Sequence, residues 1–292
     1  MGVSTAMQST KYYDFFRDKE IVFTKANLKA LKIDPRQIYV KCNAGQWPCL
    51  INSSSLMMAK IIVGTAGGAY KELSKKEGTF TLKYCFLDSA NNAIQVYVNC
   101  AVVEITPYQN TSELALITLN FTSRPPEDLI LRIGEFIEAN ENFKNRREDR
   151  IELNENSIRK LGMEKEESII FIDNVPRRCI LKDISFGGTK VMLVGVPKFL
   201  VGKPINIQMS FSDTNESVIV PGVIQHAVFL EGRKDITIVN IQFNANDIPM
   251  TYKFHINKYI TSYQKQMIDG NLPTLPVLDE ILTTDYNRNE VP

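Results

Sequence analysis

Three arginines crowd one short polar stretch of the chain, Arg146, Arg147 and Arg150, and further along comes the run Asp183-Ile184-Ser185-Phe186-Gly187-Gly188. Arg146 and Arg150 give the spacing RxxxR; Asp183, Ser185 and Gly188 give DxSxxG. A guanidinium is a planar fork that donates two parallel hydrogen bonds to phosphate oxygens or to the edge of a base, and its flat face stacks on rings. A carboxylate such as Asp183 accepts from N–H groups or orients an arginine, a serine adds a small hydroxyl, and a glycine lets backbone approach closely. Each half alone is weak: two arginines beside Glu148 and Asp149 read as a solvated charge run, and a Ser-Gly-Gly turn is ordinarily a turn. The specificity comes from their order within one β-rich unit.

The rest of the chain must supply that unit. Its 292 residues, 44% hydrophobic and 23% charged, suit two domains of ordinary globular composition. The formal net charge is only +1, so no broad positive field exists to hold a duplex by counterion release, and an anion site must be built from locally placed arginines. The opening segment lacks an apolar core, and no apolar run reaches the ~18 residues of a membrane span, so a cytoplasmic location is expected. The five cysteines, Cys42, Cys49, Cys85, Cys100 and Cys179, sit mostly in strand-like runs and read as reduced core thiols.

From Gln37 the chain gives short runs, several with period-two alternation, followed by a helical pattern in which Leu129, Ile133, Phe136 and Ile137 share a face behind Pro125 and Pro126. The same order recurs from Ser168, ending in a helix with Tyr252, Ile256, Tyr259, Ile260 and Tyr263 on one side. Local identities support a duplication: Cys49 lies over Cys179, Ser55 over Ser185 and Lys60 over Lys190. The expectation is a mainly β protein: two small six-stranded antiparallel β-barrels in tandem, each followed by an α-helix and joined by a polar linker. A single β-sandwich of similar strand count is the alternative. The expected boundaries are 1–138 for the first barrel, 139–150 for the arginine-bearing linker, 151–267 for the second barrel with its motif beginning at 146, and 268–292 for a tail that is either mobile or a partner-binding strip.

Taken together, RxxxR followed by DxSxxG, the hairpin order behind them, the closing strand Ile241-Gln242-Phe243 and the last helix resemble the PilZ domain over roughly Asn145 to Gln266. The resemblance implies a bacterial receptor for cyclic di-GMP, with Arg146, Arg147, Arg150, Asp183, Ser185 and Gly188 as ligand-binding residues, no metal or other cofactor, and no catalysis. Asn240 departs from the pattern, since many members carry glycine there. The first unit lacks the motif: Ser53 stands where Asp183 stands and Met58 where Gly188 stands. It is expected to be a degenerate PilZ-like domain, an arrangement similar to two-domain PilZ proteins of spirochaetes. The family implies an output by protein contact in motility, virulence or gene regulation, with binding at the linker reorienting the two barrels. The downstream partner, the number of ligand molecules and the oligomeric state stay open. The rival reading is a PilZ-like interaction module that does not bind the dinucleotide and recruits a protein or RNA partner instead.

Other signals carry less. The chain has two histidines, His226 and His255, too few for a triad or metal cluster, and both are expected to be structural or surface residues. The glycine-rich run 64–71 lacks the Gly-Lys-Ser/Thr ending of a phosphate loop and is expected to be a hairpin loop. Trp47 reads as a core or interdomain anchor.

Overall fold

The computed structural model describes residues 2–42, 45–88, 90–145, 149–212 and 216–268. The chain opens with α1 (Gly2–Phe16), β1 (Ile21–Val22) and α2 (Lys25–Ala30), and then runs through β2 (Tyr39–Cys42), β3 (Gly45–Pro48), β4 (Leu50–Ser54) and β5 (Met58–Gly64). A short helix, α3 (Gly68–Leu73), leads to β6 (Phe80–Leu87), β7 (Ala93–Pro107), β8 (Leu114–Phe121) and the long α4 (Glu127–Asn145). The second half repeats the scheme with β9 (Ile151–Glu152), α5 (Glu155–Leu161), β10 (Glu167–Ile172), β11 (Val175–Ile184), β12 (Gly188–Val194), β13 (Pro204–Phe211), β14 (Glu216–Phe229), β15 (Ile236–Phe243) and α6 (Met250–Ile268).

The second sheet is a closed antiparallel barrel in the order β10-β13-β14-β15-β12-β11, sealed by pairing of β10 with β11, and β9 adds a two-residue edge to β11. In the first half the order is β1-β4-β5-β8-β7-β6-β2-β3. Its strands β3 and β4 are consecutive, parted at Cys49 just after Pro48, which has no N–H to give the ladder. Together they stand where the unbroken β11 stands, so the sheet curls round on itself. Matching registers make the repeat concrete: Ser53 pairs Lys60 as Asp183 pairs Lys190, and Met58 pairs Asn120 as Gly188 pairs Gln242. Each strand preceding these pairs carries a bulge at the same place. The mainly β, tandem-barrel expectation holds.

Three features add to or differ from the sequence reading. The segment before Gln37 is structured, with α1 laid on α4; Gly134 permits that contact, since a Cβ there would meet the Tyr12 ring at 2.4 Å. Residues 139–145, expected as linker, are the last two turns of α4, whose polar side chains hid a helix that continues by packing rather than by periodicity. The 64–71 run is no hairpin loop: β5 pairs with β4 and β8, not β6, so α3 belongs to a crossing connection. The tail 269–292 lies outside the described residues.

Two separate apolar cores follow, one from Tyr12 to Ala139 with Met250 added, the other from Ile151 to Ile260. They meet through helices. Phe136 of α4 packs edge-on to Phe254 of α6 with centroids 6.0 Å apart, and Asn142 donates to Asn257 at 2.6 Å. Buried Glu138 accepts from Tyr12 at 2.8 Å, Lys11 at 3.1 Å and Asn257 at 3.4 Å, tying α1, α4 and α6 at one carboxylate. No helix among the described residues is long and apolar enough to cross a membrane.

Candidate functional site

The two halves of the motif meet because β9, two residues long, pairs Ile151 with Ile184 and Glu152 with Asp183. That ladder sets Arg150 beside Asp183, and the guanidinium donates to Asp183 Oδ1 at 2.5 Å. The same oxygen accepts from the Lys190 backbone N–H at 3.0 Å, and the Lys190 ammonium stands 3.7 Å from Oδ2. Asp183 is buried, with 11% of its side chain exposed, whereas Arg150 keeps 37% and Lys190 44%. The carboxylate is thus a fixed anchor, and the two cations stand on it facing solvent. Arg146 and Arg147 lie outside the described residues, between the end of α4 at Asn145 and Arg150.

Ser185 and Gly188 shape the turn. Ser185 Oγ accepts from the Gly188 N–H at 3.0 Å and donates to the Gly188 carbonyl at 3.2 Å, while the Ser185 N–H donates to that carbonyl at 2.8 Å. Ser185 is buried, so its hydroxyl holds the loop closed rather than standing open on the surface. Gly188 is required by close approach and not by a left-handed backbone: a Cβ there would sit 2.3 Å from the Ile241 carbonyl oxygen. Beneath the turn, Tyr252 of α6 donates to the Ser185 carbonyl at 2.6 Å, and burial, followed by the nearby Asp183, pushes its phenol above the usual tyrosine range. Phe186 enters the second core and meets Phe143, in the last turn of α4, edge to face at 5.9 Å.

Across the barrel surface the row Asp183–Lys190–Asn240–His226 runs over four paired strands. Asn240 Oδ1 is enclosed and accepts no hydrogen bond, an arrangement that costs free energy unless a donor arrives. Asn240 was visible in the sequence only as a departure from a glycine pattern. Lys190 and Tyr252 carried no motif signal, since cross-strand register brings Lys190 to Asp183 and packing of α6 beneath the turn brings Tyr252.

The corresponding place in the first barrel is inverted in charge. β1 pairs with β4 as β9 pairs with β11, which puts Glu20 where Arg150 stands. Ser53 donates to Glu20, and Lys60 binds it at 2.9 Å. The row continues as Ser53–Lys60–Thr118–Glu104, with a carboxylate at the position of His226. Both partner pairs are 33 residues apart, Glu20 to Ser53 and Arg150 to Asp183, and that equal spacing is the signal that could have found Glu20.

Elsewhere the expectations for single residues are met. His255 is buried, stacks on Phe211 at 3.7 Å and contacts the Leu161 carbonyl through Nδ1 at 3.0 Å. His226 lies in β14. Trp47 packs against the first core. Among the described residues no group of histidine, cysteine and carboxylate side chains is arranged to hold a metal.

Residues 7–140 match the family model of the PilZN3 domain. The chain is 34% identical over 272 residues to a protein of Treponema denticola described as "Cyclic di-GMP binding protein", covering 92% of this chain and 87% of that one. Among solved structures, it is similar to the PlzA protein of Borreliella burgdorferi in complex with c-di-GMP, at 20% identity, 87% of this chain, 99% of that chain and a TM-score of 0.39. A second is YcgR from Escherichia coli in complex with c-di-GMP, at 15% identity, 84% and 89% coverage and a TM-score of 0.27.

Proposed function

This chain belongs to the PilZ-type family of the Treponema cyclic di-GMP binding protein, and from that membership we propose that it is a non-enzymatic cyclic di-GMP receptor whose site is Arg146, Arg147, Arg150 and Asp183 on the turn that Ser185 and Gly188 shape. The observation that carries the reading is the Arg150–Asp183 contact, which brings the two motif halves to one point. The dinucleotide has two phosphates and two guanines. Arg150 and Lys190 stand on a buried carboxylate with their donors toward solvent, where a phosphate gains charge-assisted bonds without first having to collect its cations. Guanine presents N–H donors as well as the O6 and N7 acceptors, which suit a carboxylate and a guanidinium such as Asp183 and Arg150.

The first barrel is read as a non-binding partner. With Glu20 and Glu104 where Arg150 and His226 stand, a dianionic ligand would meet like charge there. Signalling is then a matter of domain orientation. Arg146 and Arg147 follow α4 directly, and Phe143 of α4 touches Phe186 inside the DxSxxG turn, so gathering the arginines onto the ligand reorients α4 and the barrel it carries. The output is a protein contact.

Thermal unfolding with ligand tests the receptor reading. A ligand present at 100 times its Kd stabilises the native state by about 2.7 kcal/mol, so cyclic di-GMP is expected to raise the midpoint by several degrees while GTP and cyclic di-AMP at equal concentration do not. Equal shifts with all three, or none with cyclic di-GMP, would contradict it and leave the non-binding interaction module as the better reading.

A further inference from the structure

Between the two domains, α2, α4 and α6 border an open cleft of about 230 Å³. Its charged lining is Lys29 and Lys32 from the first domain, Arg132 and Glu135 from α4, and Lys258 from α6. The whole chain has a net charge of only +1, so four cations against one carboxylate in the lining is a local excess, with Lys258 acting on Glu135 and with Asp88 and Asp128 outside the lining. The described ion pairs include none made by Lys29, Lys32 or Arg132. The Arg132 guanidinium lies over the Phe86 ring, 4.8 Å from its centroid, a contact that restricts the fork. The carboxylates that act on it, Asp128, Glu135 and Asp88, do so through space, and Asp88 is itself bonded to Asn92. Glu135, Lys29 and Lys258 stay exposed, whereas burial pushes the half-buried Arg132 guanidinium down from its ordinary value. In such a place an anion is bound more strongly than on open surface.

We propose that this cleft is a second anion site, taking a small phosphate-bearing ligand that bridges Lys29 and Lys32 of the first domain to Arg132 and Lys258. The volume has room for roughly seven waters at ~30 Å³ each, which suits a diphosphate group and falls below the ~300 Å³ at which sites for drug-sized ligands begin. His255 and Phe254 line the floor, and His255 is already engaged by Phe211 and Leu161. The site is separate from the dinucleotide motif: Arg132 precedes Asn145 by thirteen residues of the same helix, roughly 20 Å at ~1.5 Å rise per residue. Because both domains contribute cations, occupancy pins their relative orientation.

The probe is inorganic pyrophosphate, titrated calorimetrically into the full chain, with inorganic phosphate as the weaker comparator. Saturable binding at one site per chain is expected. The Lys29→Gln/Lys32→Gln double variant, whose side chains carry none of the described ion pairs, should weaken it at least tenfold, and Arg132→Gln likewise, with unchanged circular dichroism. Arg150→Ala should leave pyrophosphate affinity within twofold, whatever it does to cyclic di-GMP. Absence of saturable binding overturns the proposal, as does binding lost in Arg150→Ala but kept in the lysine variant, which would put pyrophosphate on the motif instead. Neither result bears on whether cyclic di-GMP binds.

Discussion

Asn240 is the residue whose environment is least satisfied. Its Oδ1 is enclosed without a donor, beside Lys190 on one strand and His226 on the other, so the side chain costs the unliganded protein part of an unmade hydrogen bond, about 1–3 kcal/mol. Asn240→Ala is therefore expected to leave urea stability unchanged or raise it. A less stable variant would show that the amide serves the barrel. The cysteines make a second residue-scale case. Burial pushes the Cys49, Cys100 and Cys179 thiols up to about 12, against ~8.5 in an unfolded chain. Folding keeps the proton that the unfolded chain releases, so this contribution is full below pH ~8.5 and erodes toward pH 12, by at most about 1.4 kcal/mol per pH unit for each thiol. Denaturant titrations at pH 7.5, 9 and 10 should show stability falling, and an iodoacetamide reaction at pH 8 should label half-buried Cys42 well ahead of these three. Arginine spacing and the Asp-Ser-Gly turn were legible in the sequence because they are contiguous. Glu20, Lys190 and Tyr252 were not, because strand register assembles the first two and helix packing the third.

At the scale of elements, α4 joins what the sequence kept apart. It closes the first barrel with Leu129, Ile133, Phe136 and Ile137 and then carries Phe143 to the motif turn of the second. The apolar face of its first three turns announced a helix, whereas its last two turns, rich in Asn, Glu and Lys, gave no period to read. Lys253 of α6 lies over the Phe143 ring at 4.0 Å and close to Asn140 at 3.5 Å, so the end of α4 is seated on both the turn and the last helix. Phe143→Ala should cut that seat while sparing Arg150 and Asp183. Small-angle scattering of wild type is expected to change on addition of cyclic di-GMP, and the change should be lost or at least halved in Phe143→Ala even where calorimetry shows the ligand bound. An unchanged wild-type curve at saturation would sink the coupling.

As a whole molecule the chain is one design used twice with opposite charge. Both halves place a two-residue strand, a short helix, a barrel and a closing helix in the same order, and both put a lysine across from the key position of the bulged strand. What differs is the residue that reaches that position from upstream, arginine in the second half and glutamate in the first. The duplication was readable from Cys49, Ser55 and Lys60 against Cys179, Ser185 and Lys190; the inversion needed the structure. A single competent site per chain is therefore the expectation, since one barrel offers cations on a buried carboxylate and the other a carboxylate already held by lysine. Isothermal titration of cyclic di-GMP into wild type and the Arg146→Ala/Arg150→Ala variant tests this most directly. The account predicts saturable binding in wild type at one barrel only, and a loss of at least a hundredfold in the variant with its fold intact, since each removed fork gives up charge-assisted bonds of about 1.5–3 kcal/mol. Undiminished binding in the variant, or none in folded wild type, would contradict it.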